Sequence, residues 1–425
     1  MWRKLIRPDL LFTLATIQAL SPYLFWRFGI GEFRGQSGLT YLPVYIWLCG
    51  YAAFMLGTLI PRVRRPFEPQ FRISANRRVL KIAAFVMMFV ICCQIGVLVK
   101  VYGGLPILSY VRGDGAINIG AAVAMQEDSG IGAIGSVYVT TAVLHGIVLL
   151  MMICNIETGR RDQSTILLSL LVLLVAHTVN GKRIGLVRET CFFLTGLSLY
   201  AASPIAALAK VSSLIRRTST ARTVLAVTGI LLFLSFGYLA YVRNQGHFKR
   251  DSMEELIAYQ EYSIVNFEYQ CMEAATGPYE HSIAFTLRRL LPWKVIDRIG
   301  LTIPSPSKYE PWAPAGLYED IQWSLGMPGV VLFSFLLGVG VMWCYRYALT
   351  SVFALLAYCQ ISFSLVLAHS FNEFIVLSWI PAPLILFSVL RGLLRVRGPE
   401  KTPMPLSPEP ISVDYAQQPD CLLWS

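Results

Sequence analysis

The residues best suited to chemistry in this chain are cations set where an apolar chain turns. The stretch NGKRIGLVRE at 180–189 carries Lys182, Arg183 and Arg188 between two apolar runs. A guanidinium near a membrane is costly unless it is paired or functional, and its planar fork matches phosphate oxygens. On a helix Arg183 and Arg188 stand roughly 140° apart around the axis, so they need not face one ligand. Snorkelling to the interface, or pairing with Glu189, is the competing reading. Arg243, with Asn244, stands where a later apolar run ends and admits the same two readings.

The second source of chemistry is the long polar stretch at 244–322. It holds His247, Glu268, His281, Arg288, Arg289, Lys294, Glu319 and Asp320. A histidine there can serve as a general base near neutral pH. Tyr318, Glu319 and Asp320 close the stretch in AGLYEDIQ, just before another apolar run. A carboxylate at that turn can take a proton from a sugar hydroxyl. It can equally start a helix, where negative charge meets the positive end of the helix dipole. Arg288 and Arg289 lie in the amphipathic piece HSIAFTLRRLLPW, suited to a membrane surface and its phosphates. Arg112 lies in a glycine-rich segment at 101–135, and His369, Asn372 and Glu373 lie in a tight polar turn.

Several chemistries find no support. The sequence has no DxD or HExxH, no phosphate-binding GxxxxGK[ST] and no glycine-rich dinucleotide fingerprint. A metal-dependent glycosyl-transfer site is therefore not expected, nor is any cofactor. Most of the nine cysteines lie in or beside apolar runs, without CxxC spacing.

The elements that must position these residues are membrane helices. Hydrophobic residues make up 55% of the chain and charged residues 14%, against about 25% charged in soluble domains. Apolar runs lie at about 9–27, 40–61, 80–100, 136–155, 164–180, 223–242, 323–345, 350–368 and 374–394, with a further one ending near 208. The net charge of +11 comes largely from the links between them, and the richest link is RVRRPFEPQFRISANRRVLK. That distribution is the positive-inside pattern and argues against a nucleic-acid partner. The fold expected is an all-α integral membrane protein of about ten transmembrane helices with both ends cytoplasmic. The membrane domain covers 1–395, and 101–135 and 244–322 face outward. Residues 396–425, rich in proline, form a disordered cytoplasmic tail. Within the long loop, 252–274 reads as a helix opened by Ser252 and Glu255.

The GKR between the fifth and sixth runs, the segment YSIVNFEYQCMEAATGPYEHSIAFTLRRLLPWKVIDRIG and the exit AGLYEDIQWSLGMPGVVLFSFLLGVG together resemble the O-antigen polymerases, the Wzy-type oligosaccharide repeat-unit polymerases. The resemblance is carried by about 180–345; elsewhere only span count and topology agree. It implies a GT-C-like architecture in the bacterial inner membrane with the active site facing the periplasm. It also implies transfer of a growing glycan from undecaprenyl pyrophosphate to a sugar hydroxyl of another lipid-linked unit. Partners would be these lipid-linked oligosaccharides, membrane lipids, and a chain-length regulator and flippase of the same pathway. The pyrophosphate-binding cations fall on Arg183, then Arg243 and Arg288 or Arg289, with Arg112 a partial match. The acidic residue at the loop exit falls on Glu319 or Asp320. A ligase using the same lipid carrier and a polytopic transporter are the alternatives. A transporter would place ionisable residues in mid-membrane or break its helices in repeated halves.

Overall fold

The computed structural model describes residues 2–27, 40–61, 77–101, 133–158, 162–179, 183–200, 316–369 and 380–393, with a few short pieces between 266 and 300 and at 374 and 378. These residues are almost entirely helical, and no strand occurs among them. The helices in chain order are α1 (Trp2–Leu5), α2 (Pro8–Arg27), α3 (Leu42–Leu59), α4 (Arg77–Val101), α5 (Ala133–Thr158), α6 (Gln163–Val179), α7 (Arg183–Tyr200), α8 (Leu317–Tyr347), α9 (Val352–Val366) and α10 (Pro381–Leu393). Four of them, α3, α4, α5 and α8, are long and apolar enough to cross a membrane. The expected runs at 40–61, 80–100, 136–155 and 323–345 thus fall on helices of that kind. Helix α6, α9 and α10 are shorter and equally apolar.

Burial sorts these helices by position. Helix α5 is apolar all round and buried along most of its length, as a central helix must be. Helix α4 turns Ile82, Phe85, Val86 and Phe89 outward, where only lipid would suit them. Helix α9 is buried nearly throughout, from Val352 to Leu365.

The closest backbone approach joins α3 to α8. A Cβ on Gly57 would stand 2.2 Å from the Phe335 carbonyl oxygen, and one on Gly338 would stand 2.2 Å from that of Phe54. Glycines at both positions let the two backbones touch, which is how helices associate where water gives no hydrophobic drive. One end of the seam is closed by Gly50, whose absent side chain leaves room for the Tyr318 ring. Tyr318 packs edge-on against Trp47 at 4.5 Å and receives a 3.0 Å hydrogen bond from Ser334 Oγ.

Helix α8 is broken inside. Gly326 has φ 64° and ψ −166°, and Pro328 follows two residues later. A left-handed φ is open to glycine at little steric cost, and a proline cannot donate the helical hydrogen bond. The segment Leu317–Leu325 is therefore set apart from the long apolar portion that follows.

Hydrogen bonds define two ends of the bundle. At one end Asp162, just before α6, pairs with Arg77 and with Lys81 of α4, the latter at 2.7 Å. The starts of α4 and α6 therefore share that end. Tyr345, near the end of α8, donates to the Arg3 carbonyl at 2.8 Å, so the two partners meet where α8 finishes. At the other end the Leu317 amide donates to the Ala368 carbonyl at 2.8 Å, joining the start of α8 to the chain just past α9.

Candidate functional site

Two groups of polar residues are buried in the bundle. The first lies where α5, α6 and α7 meet. His145 comes from the middle of α5, His177 from the last turn of α6, and Arg188 and Glu189 from the second turn of α7. The side chains of His145 and His177 are 3% and 4% exposed, and that of Glu189 is 12% exposed. The two imidazole rings are nearly parallel, 16° apart with centroids at 5.7 Å. Both turn Nε2 towards one carboxylate oxygen, Glu189 Oε2, at 3.8 Å from His145 and 3.6 Å from His177.

Helical spacing explains the arrangement. Gly185 and Glu189 are four residues apart and share a face of α7. A Cβ on Gly185 would stand 2.4 Å from His177 Nδ1, so the bare glycine admits the ring flat against α7. One turn further along, Glu189 meets the other edge of the same ring. Phe192 and Phe193 then close on His145, with centroids at 5.6 and 5.7 Å. Arg188 projects about 100° round the helix from Glu189. It is buried at 6% exposure, with its guanidinium carbon 5.8 Å from the centre of the Phe363 ring of α9. Its Cα lies about 8 Å along the axis from the start of α7.

The second group gathers the start of α8 with part of the long loop. Glu319 takes the Gly316 amide on Oε2 at 2.6 Å, so its carboxylate helps to begin the helix. Asp320 is 2% exposed and Tyr318 is fully buried. Glu268 accepts from the Thr40 amide at 3.0 Å and from Thr40 Oγ1 at 2.5 Å, and Tyr23 reaches its other oxygen at 3.5 Å. This carboxylate fastens the loop to the connection between α2 and α3. Asn266, Phe267, Gln270 and Cys271 are buried beside it, so this part of the expected loop helix is core, not surface. Burial pushes the Cys271 thiol up to about 12, with the Glu268 and Glu319 carboxylates adding to the effect. Cys271 is accordingly an inert thiol.

His369 sits next to the Leu317–Ala368 joint and is buried. Burial pushes its imidazole down to about 4, opposed by a hydrogen bond to the Val366 backbone. The folded protein therefore binds fewer protons than the unfolded chain between about pH 4 and 6.5, and stability rises with pH across that window. Lowering the pH from 7 to 4 should destabilise the protein through this group by about 3 kcal/mol. Melting of the purified protein across that range should show the loss, and His369→Gln should flatten it. Equal pH slopes in both proteins would remove His369 as the cause.

Among the other residues singled out in the sequence, Arg183 opens α7, and nothing is described of its side chain. Lys182, Arg112, Arg243, His247, His281, Arg288, Arg289, Lys294, Asn372 and Glu373 lie outside the described residues. The structure thus buries Arg188, Tyr318, Glu319 and Asp320, each among the residues singled out in the sequence. It adds His145 and His177, which motif spacing does not single out because they and Glu189 come from three helices. One signal was present: each is a lone ionisable residue inside or beside an apolar run, in AVLHGIVLL and LLVAHTVN. Comparisons with family models, curated proteins and solved structures give no match.

Proposed function

We propose that this chain is a polymerase of lipid-linked oligosaccharide repeat units in the bacterial inner membrane. It would transfer glycan from undecaprenyl pyrophosphate to a sugar hydroxyl of another lipid-linked unit on the periplasmic side. In this reading about ten spans form a GT-C-like bundle with cytoplasmic ends, and a flippase and chain-length regulator act beside it. The observation that carries the proposal is the inward burial of Arg188 in an apolar bundle. A guanidinium there can present its planar fork to the oxygens of a pyrophosphate.

The chemistry needs two things of the protein. The departing pyrophosphate must have its charge held, which Arg188 can do together with Arg183, Lys182, Arg243, Arg288, Arg289 or Arg112. The acceptor hydroxyl must lose a proton as its oxygen attacks the anomeric carbon, and the bond from that carbon to the pyrophosphate breaks. Glu319 and Asp320 both sit in the first turn of the rigid α8; we rank Asp320 first as base, with Glu319 and His281 after it. No activating cofactor enters, because the lipid-linked donor is already activated.

In vitro polymerisation of lipid-linked repeat units tests this. Asp320→Asn should fall by about 100- to 10,000-fold, as the loss of a general base does. A dead His281→Ala beside near-normal Asp320→Asn and Glu319→Gln would reassign the base to the loop. Wild-type protein that forms no new glycosidic bond from this donor would sink the polymerase.

A specific observation favours a second reading, a transporter of lipid or glycan. His145, His177, Arg188 and Glu189 are ionisable residues buried between helices, and α8 is broken at Gly326. Both features occur where membrane proteins move charge or substrate. Proteoliposomes separate the two: a transporter moves labelled lipid-linked substrate across the bilayer without lengthening its glycan.

A further inference from the structure

The geometry points to a binding site for one divalent transition-metal ion, of the zinc class, formed by His145 Nε2, His177 Nε2 and a Glu189 carboxylate oxygen. Three helices deliver one ligand atom each, and these atoms lie within 4.8 Å of one another. The separations from Glu189 Oε2, 3.6 and 3.8 Å, are too long for hydrogen bonds. Neither imidazole Nε2 has any other hydrogen-bond partner, and both side chains are more than nine-tenths buried. Two buried, unsatisfied ring nitrogens aimed at one carboxylate oxygen are expensive as they stand. A cation between them satisfies all three at once.

The distances fit that occupant. Ligand atoms about 2.1 Å from a tetrahedral zinc ion stand about 3.4 Å from each other. The two separations from Glu189 Oε2 exceed this by a few tenths of an ångström and every pair lies within 4.8 Å, within the reach of side-chain rotations. Two histidines and one glutamate form a donor set used for zinc, and they leave a fourth position open for water or an anionic oxygen. Borderline nitrogen donors select zinc-class ions over magnesium or calcium, which prefer oxygen. Phe192 and Phe193 give the site a dry wall beside His145, and Gly185 seats the His177 ring. The fourth position is open to water or an anionic oxygen.

This inference stands apart from the polymerase, because metal content is read on purified protein with no sugar substrate. The full-length protein, stripped with a chelator in detergent, should retain about one Zn2+ per chain after dialysis against Zn2+ and desalting. Co2+ in its place should give the visible absorption of a low-symmetry nitrogen and oxygen site. His145→Ala, His177→Ala and Glu189→Gln should each weaken Zn2+ binding by more than about 100-fold, beyond what loss of an outer partner does. Arg188→Gln should keep the ion. For any alanine variant that fails to remain monodisperse, His145→Gln or His177→Gln supplies the reading. Wild-type protein with no zinc above that of the His145→Gln, His177→Gln double variant overturns the site, as does unchanged uptake by the single variants.

Discussion

An Arg188→Ala protein that accumulates normally should make at least about 100-fold less polymer than wild type, the scale of losing one donor to developing negative charge. The expectation rests on where the guanidinium lies. It is buried, with its carbon 5.8 Å from the centre of the Phe363 ring. A snorkelling arginine would be replaceable by lysine, which also keeps a charge on a long stem. An arginine that grips a pyrophosphate would not, because lysine lacks the bidentate fork. Arg188→Lys should therefore be impaired nearly as much as Arg188→Ala. The readout is polymer made from purified lipid-linked units, with protein level and monodispersity checked alongside. Full polymer from Arg188→Lys would leave only a charge requirement; full polymer from Arg188→Ala would take the residue out of the reaction.

The largest structural effect should come from Gly57 and Gly338, the glycines in the seam between α3 and α8. Each faces a carbonyl oxygen of the opposing backbone at a distance no real Cβ tolerates. Gly57→Leu or Gly338→Leu has no flexible side chain to push aside, so the helices themselves must separate. Overpacking a core costs about 1–3 kcal/mol and sometimes more; a backbone contact belongs at the upper end. Tyr318, Trp47 and Ser334 lie along the same seam, so separation would also loosen the buried start of α8. Gly340 of the same helix has open space around it and supplies the control. Gly340→Ala should be neutral or stabilising by up to about 1 kcal/mol, since alanine is the better helix former. Thermal unfolding in detergent, followed by the monodisperse fraction, would check the pair. A Gly57→Leu protein as stable as Gly340→Ala would show that the helices do not touch there.

The amino-acid sequence by itself determined the material of the fold. Apolar runs with few charges must become helices in a membrane, because only a helix satisfies its backbone within one segment. That logic holds for α3, α4, α5 and α8, and for the shorter apolar α6, α9 and α10. The Asp162 pairs hold the starts of α4 and α6 together, and the Leu317–Ala368 joint holds the start of α8 beside the chain just past α9. The candidate residues at 188, 318, 319 and 320 were also legible, since polar groups beside apolar runs stand out.

What lay beyond the sequence was which way those residues face and what they meet. Arg188 could bind an anion, snorkel or pair with Glu189 as far as the sequence goes; the fold buries it with its guanidinium near the Phe363 ring of α9. Glu319 accepts the Gly316 amide at the start of α8, a contact its place in the sequence allows without specifying. His145 and His177 carry no spacing relation to Glu189, because residues 44 and 12 positions away from it meet it only when α5, α6 and α7 pack together. Helical periodicity fixes which residues share a face of one helix; it says nothing of the angle at which a second helix crosses it. That angle is set by small residues such as Gly185 and Gly57, whose missing side chains let neighbours approach, and it exists only in the tertiary structure.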